Sequence, residues 1–337
     1  MEKCLLYENR VRFFSRDDRT HRLFRSCWVA AAEEVSGDPT IVCRNFGVLR
    51  FFWAISQFIS NCRRIRLVFG TSEIILYSIL SGCDDVWIFT GLGRLFTRKN
   101  WIASIVKCYL KIVYRNQTVV VLNKCDQLVV GKILNAQVSV INGEGYHFTS
   151  MFEKRALKND QRISFIYVGR LLKSKGVDRL LEAFARASQK DWELVLYGDS
   201  DFNNSDCISL SFIKRQQQLS PGRIIHAGFL DDLKTRLVNA DVAVSLSERE
   251  GLPFSVLDAI DCGLYVVLSN VPGHNEFSAY NGVSMIDANG VEGFFKMLES
   301  RPELVKIFDM ETRHKQCYER FSWQKVNGEI KKILECK

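Results

Sequence analysis

Short, mostly apolar runs alternate with amphipathic segments along the chain. Runs such as Val86–Phe89 and Val242–Leu246 are typical of strands that are buried on both faces of a sheet. Segments with apolar residues three and four positions apart, such as Val177–Ala187, lie between these runs and predict amphipathic helices. This alternation predicts an α/β protein built from parallel, doubly wound sheets.

The pattern predicts eleven strands and six clear helices, with further helices between the later strands. The predicted strands are Lys3–Tyr7, Thr40–Cys43, Ile65–Phe69, Val86–Phe89, Thr118–Leu122, Val138–Ile141, Ser164–Val168, Glu193–Tyr197, Arg223–His226, Val242–Leu246 and Tyr265–Leu268. The predicted helices are His21–Val35, Leu49–Ser60, Glu73–Leu80, Trp101–Tyr114, Val177–Ala187 and Trp323–Leu334.

The chain is longer than one hydrophobic core usually supports, and its 337 residues predict two domains. Residues 145–160 are polar and aperiodic, so the boundary is expected there. We expect one α/β domain over residues 1–148, a second over residues 149–320, and a terminal helical segment over residues 321–337.

The clearest candidate site follows the strand Val242–Leu246. The sequence reads S-E-R-E-G-L-P-F-S-V-L-D-A-I-D-C-G, in which Glu250 and Asp258 flank a predicted helix start at Pro253. Proline suits the first helical position because no helical partner is needed for its missing N–H, and Gly263 suits the position after the helix. The free N–H groups of such a helix start, together with the helix dipole, form an anion site.

This order of groups fits a nucleotide-sugar. Asp258 would meet the ribose hydroxyls, the helix start would meet the diphosphate, and the sugar would lie near Glu250. The spacing alone is equally typical of a surface helix with two solvated acids. The helix is expected to bury a stripe of Val256, Leu257 and Ile260 and to point Ser255, Asp258 and Asp261 elsewhere.

A second loop of the phosphate-binding type follows the strand Ser164–Val168 and opens a helix. Gly169 would let the backbone turn sharply, and Arg170 and Lys175 could clamp a diphosphate. Taken alone, the two cations could equally be solvated loop residues. Because both loops follow strands of the same half, we interpret them as one site.

The net positive charge of the chain lies entirely in its first half. Residues 1–150 hold 20 Lys and Arg against 12 Asp and Glu, and the remaining residues hold 26 against 26. Aromatic residues accompany the charge, as in the segment Lys107–Arg115. Such a surface can dock on anionic lipid headgroups; nucleic-acid binding and an ordinary solvated helix face are the alternatives. No recognisable nucleic-acid motif accompanies the charge, so no nucleic-acid partner is expected.

Several other classes of protein are disfavoured. No segment reaches the ~20 apolar residues of a membrane span, and the first ten residues lack the layout of a signal peptide. The eleven cysteines are scattered without a C-x-x-C pair, which indicates reduced thiols in a cytosol. The five histidines do not cluster with cysteines, so no metal site is expected.

The second half resembles retaining glycosyltransferases of family 4, which have the two-domain GT-B fold. The resemblance rests on F-I-Y-V-G-R-L-L-K-S-K-G-V-D-R-L-L-E-A-F, L-V-L-Y-G-D, I-I-H-A-G-F and the acid-containing segment through V-P-G-H-N-E, in family order. F-T-G-L-G-R-L-F and V-S-V-I-N-G-E-G in the first half are similar, more loosely, to the branch that builds bacterial surface polysaccharides.

The resemblance implies roles for particular residues. Arg170 and Lys175 would bind the donor diphosphate and stabilise the leaving nucleotide, and Glu250 would contact the transferred sugar. A first-domain loop would face the cleft and the acceptor, and the last helix would cross back to the first domain. The implied donor-binding residues are Gly169, Gly251, Leu252, Pro253, Phe254 and Asp258. The implied acceptor or cleft residues are His21, Thr90, Gly91 and Gly93.

By this resemblance the chain would move a hexose or N-acetylhexosamine from a UDP-linked nucleotide-sugar to a lipid-linked acceptor such as a polyprenyl-diphosphate saccharide. It would need no metal or other cofactor and would act in the cytoplasm on the inner face of the plasma membrane. Two departures from the family pattern stand out: Asp258 replaces the usual Glu, and the loop Arg10–Arg25 is arginine-rich instead of glycine-rich. The alternatives are a non-catalytic partner subunit and a nucleotide-sugar epimerase of the same fold.

Overall fold

In a computed structural model of the chain, residues 7–8, 11–13, 30–31, 34–35, 40–42, 66–69, 74–75, 85–92, 101–149, 162–200, 204–229, 233–287 and 290–336 are described. The chain divides into two compact units. The first comprises Met1–His147 with Arg320–Lys337, and the second comprises Phe148–Glu319.

The strands, numbered in chain order, are β1 (Tyr7–Glu8), β2 (Val11–Phe13), β3 (Thr40–Val42), β4 (Arg66–Phe69), β5 (Val86–Phe89), β6 (Thr118–Val121), β7 (Ser139–Val140), β8 (Ser164–Val168), β9 (Glu193–Tyr197), β10 (Arg223–Gly228), β11 (Val242–Ser245), β12 (Tyr265–Ser269) and β13 (Val283–Ile286). The helices are α1 (Trp101–Val113), α2 (Lys124–Leu134), α3 (Val177–Arg186), α4 (Leu210–Leu219), α5 (Lys234–Leu237), α6 (Phe254–Asp261), α7 (Pro272–Asn275), α8 (Val291–Ser300), α9 (Met310–Phe321) and α10 (Trp323–Glu335). Short 3-10 helices cover Lys173–Lys175 and Pro302–Val305.

The described residues of the first unit form a seven-stranded sheet in the order β1 to β7. All neighbouring strands are parallel except β1 and β2, which pair antiparallel. Of the predicted first strand, Lys3–Tyr7, only Tyr7 is described, and it belongs to β1, whereas residues 3–6 lie outside the described residues. Strand β2 lies inside the predicted loop Arg10–Arg25, where no strand was expected. The alternation of apolar residues that marks a buried strand is weak in these short, charged segments.

Helices cover both faces of this sheet. Val86 and Ile88 of β5 share a core cluster with α10, which contributes Val326, Ile330 and Leu334. The alternate β5 residues Trp87 and Phe89 pack in a second cluster with α1 and α2. The last helix therefore belongs to the first unit, as the resemblance implied.

The second unit contains a six-stranded parallel sheet in the order β10-β9-β8-β11-β12-β13. The order reverses between β8 and β11, which pair directly although β9 and β10 intervene in the chain. In such sheets, ligands bind outside the carboxyl ends of the strands at this switch point. Both predicted phosphate loops follow these two strands. An aromatic cluster that includes Phe165, Phe184 and Phe295 fills the core beneath.

The structure also contains elements that the hydrophobic pattern missed. Helix α2 begins after Asn123, whose side chain accepts a hydrogen bond from the backbone N–H of Asp126, and ends at Asn135 in the left-handed conformation. Strand β13 was missed because its residues are only half-buried. Residues 30–31, 34–35 and 74–75 are helical, in agreement with two predicted helices, whereas the predicted helix Leu49–Ser60 lies outside the described residues. Among the described helices, none combines the length and apolar content that a bilayer span requires.

Candidate functional site

The acid-containing loop connects β11 to α6 at the carboxyl edge of the second sheet. Pro253 was predicted to be the first helical residue. Its φ of −79° and ψ of 117° are extended, so it is instead the residue that precedes α6. Helix α6 nevertheless begins at Phe254 with no side-chain cap among the described contacts. The N–H groups of such a helix start, together with the helix dipole, can bind an anion at this edge of the sheet.

The end of α6 was predicted correctly. The Gly263 N–H bonds the carbonyl of Ile260, and the Leu264 N–H bonds that of Ala259, with Gly263 at φ 76°. These are the two bonds of a Schellman motif, which stops the helix after Asp261. The expected stripe of Val256, Leu257 and Ile260 is buried.

Asp261 corrects one expectation, because its side chain is fully buried instead of lying on the polar side of α6. It accepts hydrogen bonds from Lys234 Nζ at 2.6 Å, His314 Nε2 at 2.9 Å and Thr149 Oγ1 at 2.9 Å. Burial alone would raise its pKa, but these hydrogen bonds and the Lys234 charge lower the pKa of Asp261 to about 2. A buried charge is tolerated here because it has several partners.

The basic loop lies directly beside the acidic one. Lys175 ends the 3-10 turn after β8, and Gly176 follows it with φ 72°. A Cβ at Gly176 would lie 2.4 Å from the carbonyl oxygen of Leu246, at the end of β11. The Glu248 N–H also donates to the Ser174 carbonyl at 2.9 Å. The two loops are therefore packed backbone against backbone, which only glycine permits at position 176.

An ion pair forms the centre of the candidate site. Lys175 Nζ lies 2.5 Å from Glu250 Oε1, and their side chains are 25% and 17% exposed. The Ser247 hydroxyl donates to the same carboxylate oxygen at 2.6 Å. The arrangement holds a cation and a carboxylate together at a partly solvated strand edge, where a ligand could reach both.

A buried histidine lies beneath this carboxylate. His274 is fully buried, and its two ring nitrogens contact Ser245 Oγ at 3.2 Å and Ser269 Oγ at 3.1 Å. Burial lowers the pKa of His274 to about 4, although the Glu250 charge opposes the shift. The imidazole is therefore neutral at neutral pH.

The remaining predicted residues fall into three groups. Arg170 is exposed and Gly169 half-buried at the end of β8, and the buried hydroxyl of Tyr167 donates to the Arg170 carbonyl at 2.8 Å. Burial, reinforced by the Glu250 charge, raises the pKa of Tyr167, which keeps it a neutral donor. In the acid-containing loop and α6, the buried residues are Leu252 and Pro253, and the half-buried ones are Gly251, Phe254 and Asp258.

The expected acceptor residues belong to the first unit. Thr90 and Gly91 are half-buried at the carboxyl end of β5, whereas Gly93 and His21 lie outside the described residues. Sequence reasoning missed Ser247, His274 and the partners of Asp261. The polar run S-L-S-E-R-E contained the serine, but nothing local linked it to the histidine.

The second unit also contains a pocket away from the two loops. This pocket, of about 500 Å³, lies at the opposite edge of the sheet, where the strands begin, and is lined by residues such as Ser164, Glu193 and Asp241. It contains none of the predicted site residues. Within the described part of the chain, no group of three or more His, Cys, Asp or Glu side chains could hold a metal ion.

The part of the sequence that forms this site is similar to known proteins. Residues 149–291 match the family model of glycosyl transferases group 1, and this range contains both loops. An N,N'-diacetylbacillosaminyl-diphospho-undecaprenol alpha-1,3-N-acetylgalactosaminyltransferase of Campylobacter jejuni is 29% identical over 213 residues, 57% of this chain and 54% of that protein. A UDP-Gal:alpha-D-GlcNAc-diphosphoundecaprenol alpha-1,3-galactosyltransferase of Escherichia coli is 28% identical over 149 residues, 41% of this chain and 36% of that protein. The chain thus spans about half the length, or less, of these curated relatives.

Solved structures resemble the chain over most of its length. Anabaena Alr3699/HepE in complex with UDP has a TM-score of 0.70 at 13% identity, covering 92% of this chain and 95% of that chain. Sucrose-phosphate synthase from Thermosynechococcus elongatus has a TM-score of 0.72 at 17% identity, covering 96% of this chain and 94% of that chain. The expected GT-B fold is confirmed by these likenesses.

Proposed function

We propose that this chain, which carries a glycosyl transferases group 1 domain over residues 149–291, is a retaining glycosyltransferase. Its donor would be a nucleotide-sugar, UDP-linked and carrying a hexose or N-acetylhexosamine, and its acceptor a polyprenyl-diphosphate or other lipid-linked saccharide. The product would belong to a bacterial surface polysaccharide such as O-antigen, capsule or exopolysaccharide. The observation that carries the proposal is the Lys175–Glu250 pair at the switch point of the second sheet.

The donor site is proposed on the chemistry of this pair. Departure of a nucleoside diphosphate builds negative charge on its phosphate, which Lys175, Arg170 and the start of α6 would stabilise. On donor binding, Lys175 would exchange the Glu250 carboxylate for the diphosphate. Ser247 would keep its hydrogen bond to Glu250 and so hold that carboxylate near the transferred sugar. Asp258, one turn into α6, would take the ribose hydroxyls; no metal enters this scheme.

The proposed lipid-linked acceptor agrees with two of the relatives, whose names specify diphospho-undecaprenol acceptors. A UDP donor agrees with the UDP named for the Escherichia coli relative and for the Anabaena structure.

Helix α1 supports contact with an anionic membrane surface. Its residues Trp101, Ile105, Cys108 and Ile112 follow one another along one exposed stripe, with Trp101 73% and Ile112 75% exposed. Between Asp85 and Asp126 the sequence holds seven Lys or Arg and no acid. The charged residues of this stretch of sequence are all basic, and an apolar stripe within such a stretch suits the headgroup region of an anionic bilayer. We therefore propose that the chain acts peripherally, at the cytoplasmic face of the plasma membrane.

A thermal-shift panel of UDP, GDP, ADP and their sugars tests the donor site. A ligand that binds only the folded state raises the melting temperature, by an amount that corresponds to about 2.7 kcal/mol at a hundred times Kd. We expect one nucleotide to stabilise the wild type and the Lys173→Ala variant but not Lys175→Ala. Lys173 is the matched control, because it lies in the same turn and is exposed. Stabilisation of Lys175→Ala equal to that of the wild type would refute the site.

Transfer itself is tested with Glu250→Gln, which keeps the shape and removes the charge. We expect nucleotide binding without sugar transfer to a lipid-linked acceptor. A wild type that binds no nucleotide would instead favour the non-catalytic partner subunit, which the shorter Asp258 side chain also fits. A wild type that interconverts nucleotide-sugars without an acceptor would identify an epimerase.

Sedimentation with vesicles tests the membrane contact without donor or acceptor. Ile112→Ser should weaken binding to phosphatidylglycerol vesicles, whereas Ile307→Ser should not. Ile307 is the matched control because it is 74% exposed, so both substitutions remove nearly the same apolar surface. It belongs to the second unit and not to the proposed membrane-binding stripe. Equal binding of both variants, or equal binding to neutral phosphatidylcholine vesicles, would contradict the proposal.

A further inference from the structure

A chain of hydrogen bonds connects the buried histidine to the Glu250 carboxylate. The Ser269 hydroxyl, at the end of β12, donates to the carbonyl of Ser247 at 2.5 Å. Ser247 then donates its own hydroxyl to Glu250 Oε1 at 2.6 Å. His274 Nδ1 contacts Ser269 twice, at Oγ (3.1 Å) and at the backbone carbonyl (3.0 Å). His274, Ser269 and Ser247 are buried, so water does not compete with these bonds.

The donors and acceptors in this chain define the state of the imidazole. The single hydroxyl hydrogen of Ser269 is used toward Ser247, so Ser269 Oγ can only accept from His274. The proton therefore lies on Nδ1, where the carbonyl of Ser269 also accepts it. Nε2 is then the acceptor, and Ser245 Oγ donates to it at 3.2 Å. A neutral ring with this tautomer satisfies every contact that the two nitrogens make, in agreement with the lowered pKa of His274.

The residue before the histidine braces the same loop from a second direction. A Cβ at Gly273 would lie 2.3 Å from the Gly251 carbonyl oxygen and 2.6 Å from that of Glu250. The first turn of α7 is therefore pressed against the backbone of the loop that carries the carboxylate. The imidazole holds this turn to the ends of β11 and β12 through Ser245 and Ser269.

We propose that His274 is a positioning residue that orients Glu250 toward the transferred sugar through Ser269 and Ser247. This inference rests on the proposed donor site, and it adds a residue that touches neither nucleotide nor sugar. It separates two functions of the site: the diphosphate is held by Arg170, Lys175 and the start of α6, whereas the placement of the carboxylate depends on the buried network. Loss of the network should therefore impair transfer more than nucleotide binding.

Two serine variants test the route. Ser269→Ala and Ser245→Ala each remove one hydroxyl that contacts His274, but only Ser269 is connected to Ser247 and Glu250. We expect Ser269→Ala to lower kcat about 10- to 100-fold, the range expected for a displaced reacting group, with the Kd for the nucleoside diphosphate unchanged. Ser245→Ala should lower kcat less than Ser269→Ala does, because Ser245 has no bond to Ser247 or Glu250 among the described contacts.

Histidine variants supply a test by rescue. An Asn amide nitrogen can replace Nδ1 and keep the bonds to Ser269, whereas a Gln amide reaches the Nε2 position and keeps only the bond to Ser245. His274→Asn should therefore retain more of kcat than His274→Gln, although both change the core. Melting temperatures of all four variants identify any that fail to fold, and the serine pair remains decisive in that case.

Each outcome decides the inference. Equal kcat values for Ser269→Ala and Ser245→Ala, or a Kd for nucleotide that rises in parallel with the fall in kcat, would overturn the positioning role. A wild type that transfers no sugar from any nucleotide-sugar would refute the proposed function, and the positioning role with it. The first failure appears only in the variants and the second already in the wild type, so they are distinguishable.

Discussion

Replacing Asp261 with Asn isolates the contribution of one buried charge to stability. The side chain is fully buried, and besides Lys234 and His314 it binds both the hydroxyl and the N–H of Thr149, the second residue of the second unit. Burial opposes ionisation, but the hydrogen bonds and the Lys234 charge lower the pKa of Asp261 from its ordinary value of 3.8 to about 2. A lowered folded-state pKa means that the surroundings of Asp261 in the folded protein stabilise its ionised form more than its protonated form.

The magnitude follows from linkage. One pKa unit corresponds to about 1.4 kcal/mol, so the shift of Asp261 stabilises the ionised fold by about 2 kcal/mol. The contribution is complete above the unfolded pKa of 3.8 and is lost as the pH falls through the folded pKa of about 2. Asparagine has the shape of the protonated acid and no charge. Asp261→Asn should therefore lower the free energy of unfolding by about 2 kcal/mol at pH 7, and by about half of that near pH 3.

Native-state hydrogen exchange is the appropriate assay, because peptides from α6 and β12 report on the second unit alone. Asp258→Asn is the matched control, since it makes the same chemical change one turn earlier on the same helix at a half-buried position. The control should lose less stability, with less dependence on acid pH. If both variants lose the same stability, or if the Asp261→Asn deficit does not shrink below pH 4, the reasoning from the buried network is refuted.

Two further predictions concern backbone and core. Gly176→Ala should lower the melting temperature and weaken donor binding, because the new Cβ would meet the Leu246 backbone. Gly293→Ala in α8 is the control, because its Cβ would enter open space and the variant should be as stable as the wild type or more stable. Equal melting temperatures for the two variants would contradict the prediction. The Arg313 guanidinium is fully buried over the Phe308 ring, and its Nε and Nη2 have no hydrogen-bond partner among the described residues. Burial also lowers the pKa of Arg313 to about 10. Arg313→Met should therefore raise the free energy of unfolding, measured by urea denaturation, by about 1 kcal/mol. A less stable Arg313→Met variant would show that the cation contributes more than its desolvation costs.

Much of the second unit follows from local pattern. Strand β8 and the start of α3 lie where the apolar periodicity predicted them, and Gly263 ends α6 as expected. These features depend on residues a few positions apart, so the sequence contains them directly. Helix α2 could also have been predicted, because Asn123 followed by Asp126 is a recognisable helix start.

The bounds of β1 and β2 and the burial of Asp261 could not be predicted in the same way. The first strands are too short to establish a period of two, and their charged residues resemble a loop. Asp261 is next to Cys262 and Gly263 at a helix end, where an acid is normally solvated. Its burial depends on Lys234, Thr149 and His314, which are distant in the chain.

The sequence by itself therefore determined the α/β alternation, the two phosphate-type loops and the excess of positive charge in the first half. Only the tertiary structure decided that Lys175 and Glu250, which are 75 residues apart, form an ion pair. The physical reason is the strand order: β8 and β11 become neighbours only when the sheet reverses direction. The same reversal places β12 beside β11, and this adjacency allows one buried histidine to reach serines from both strands.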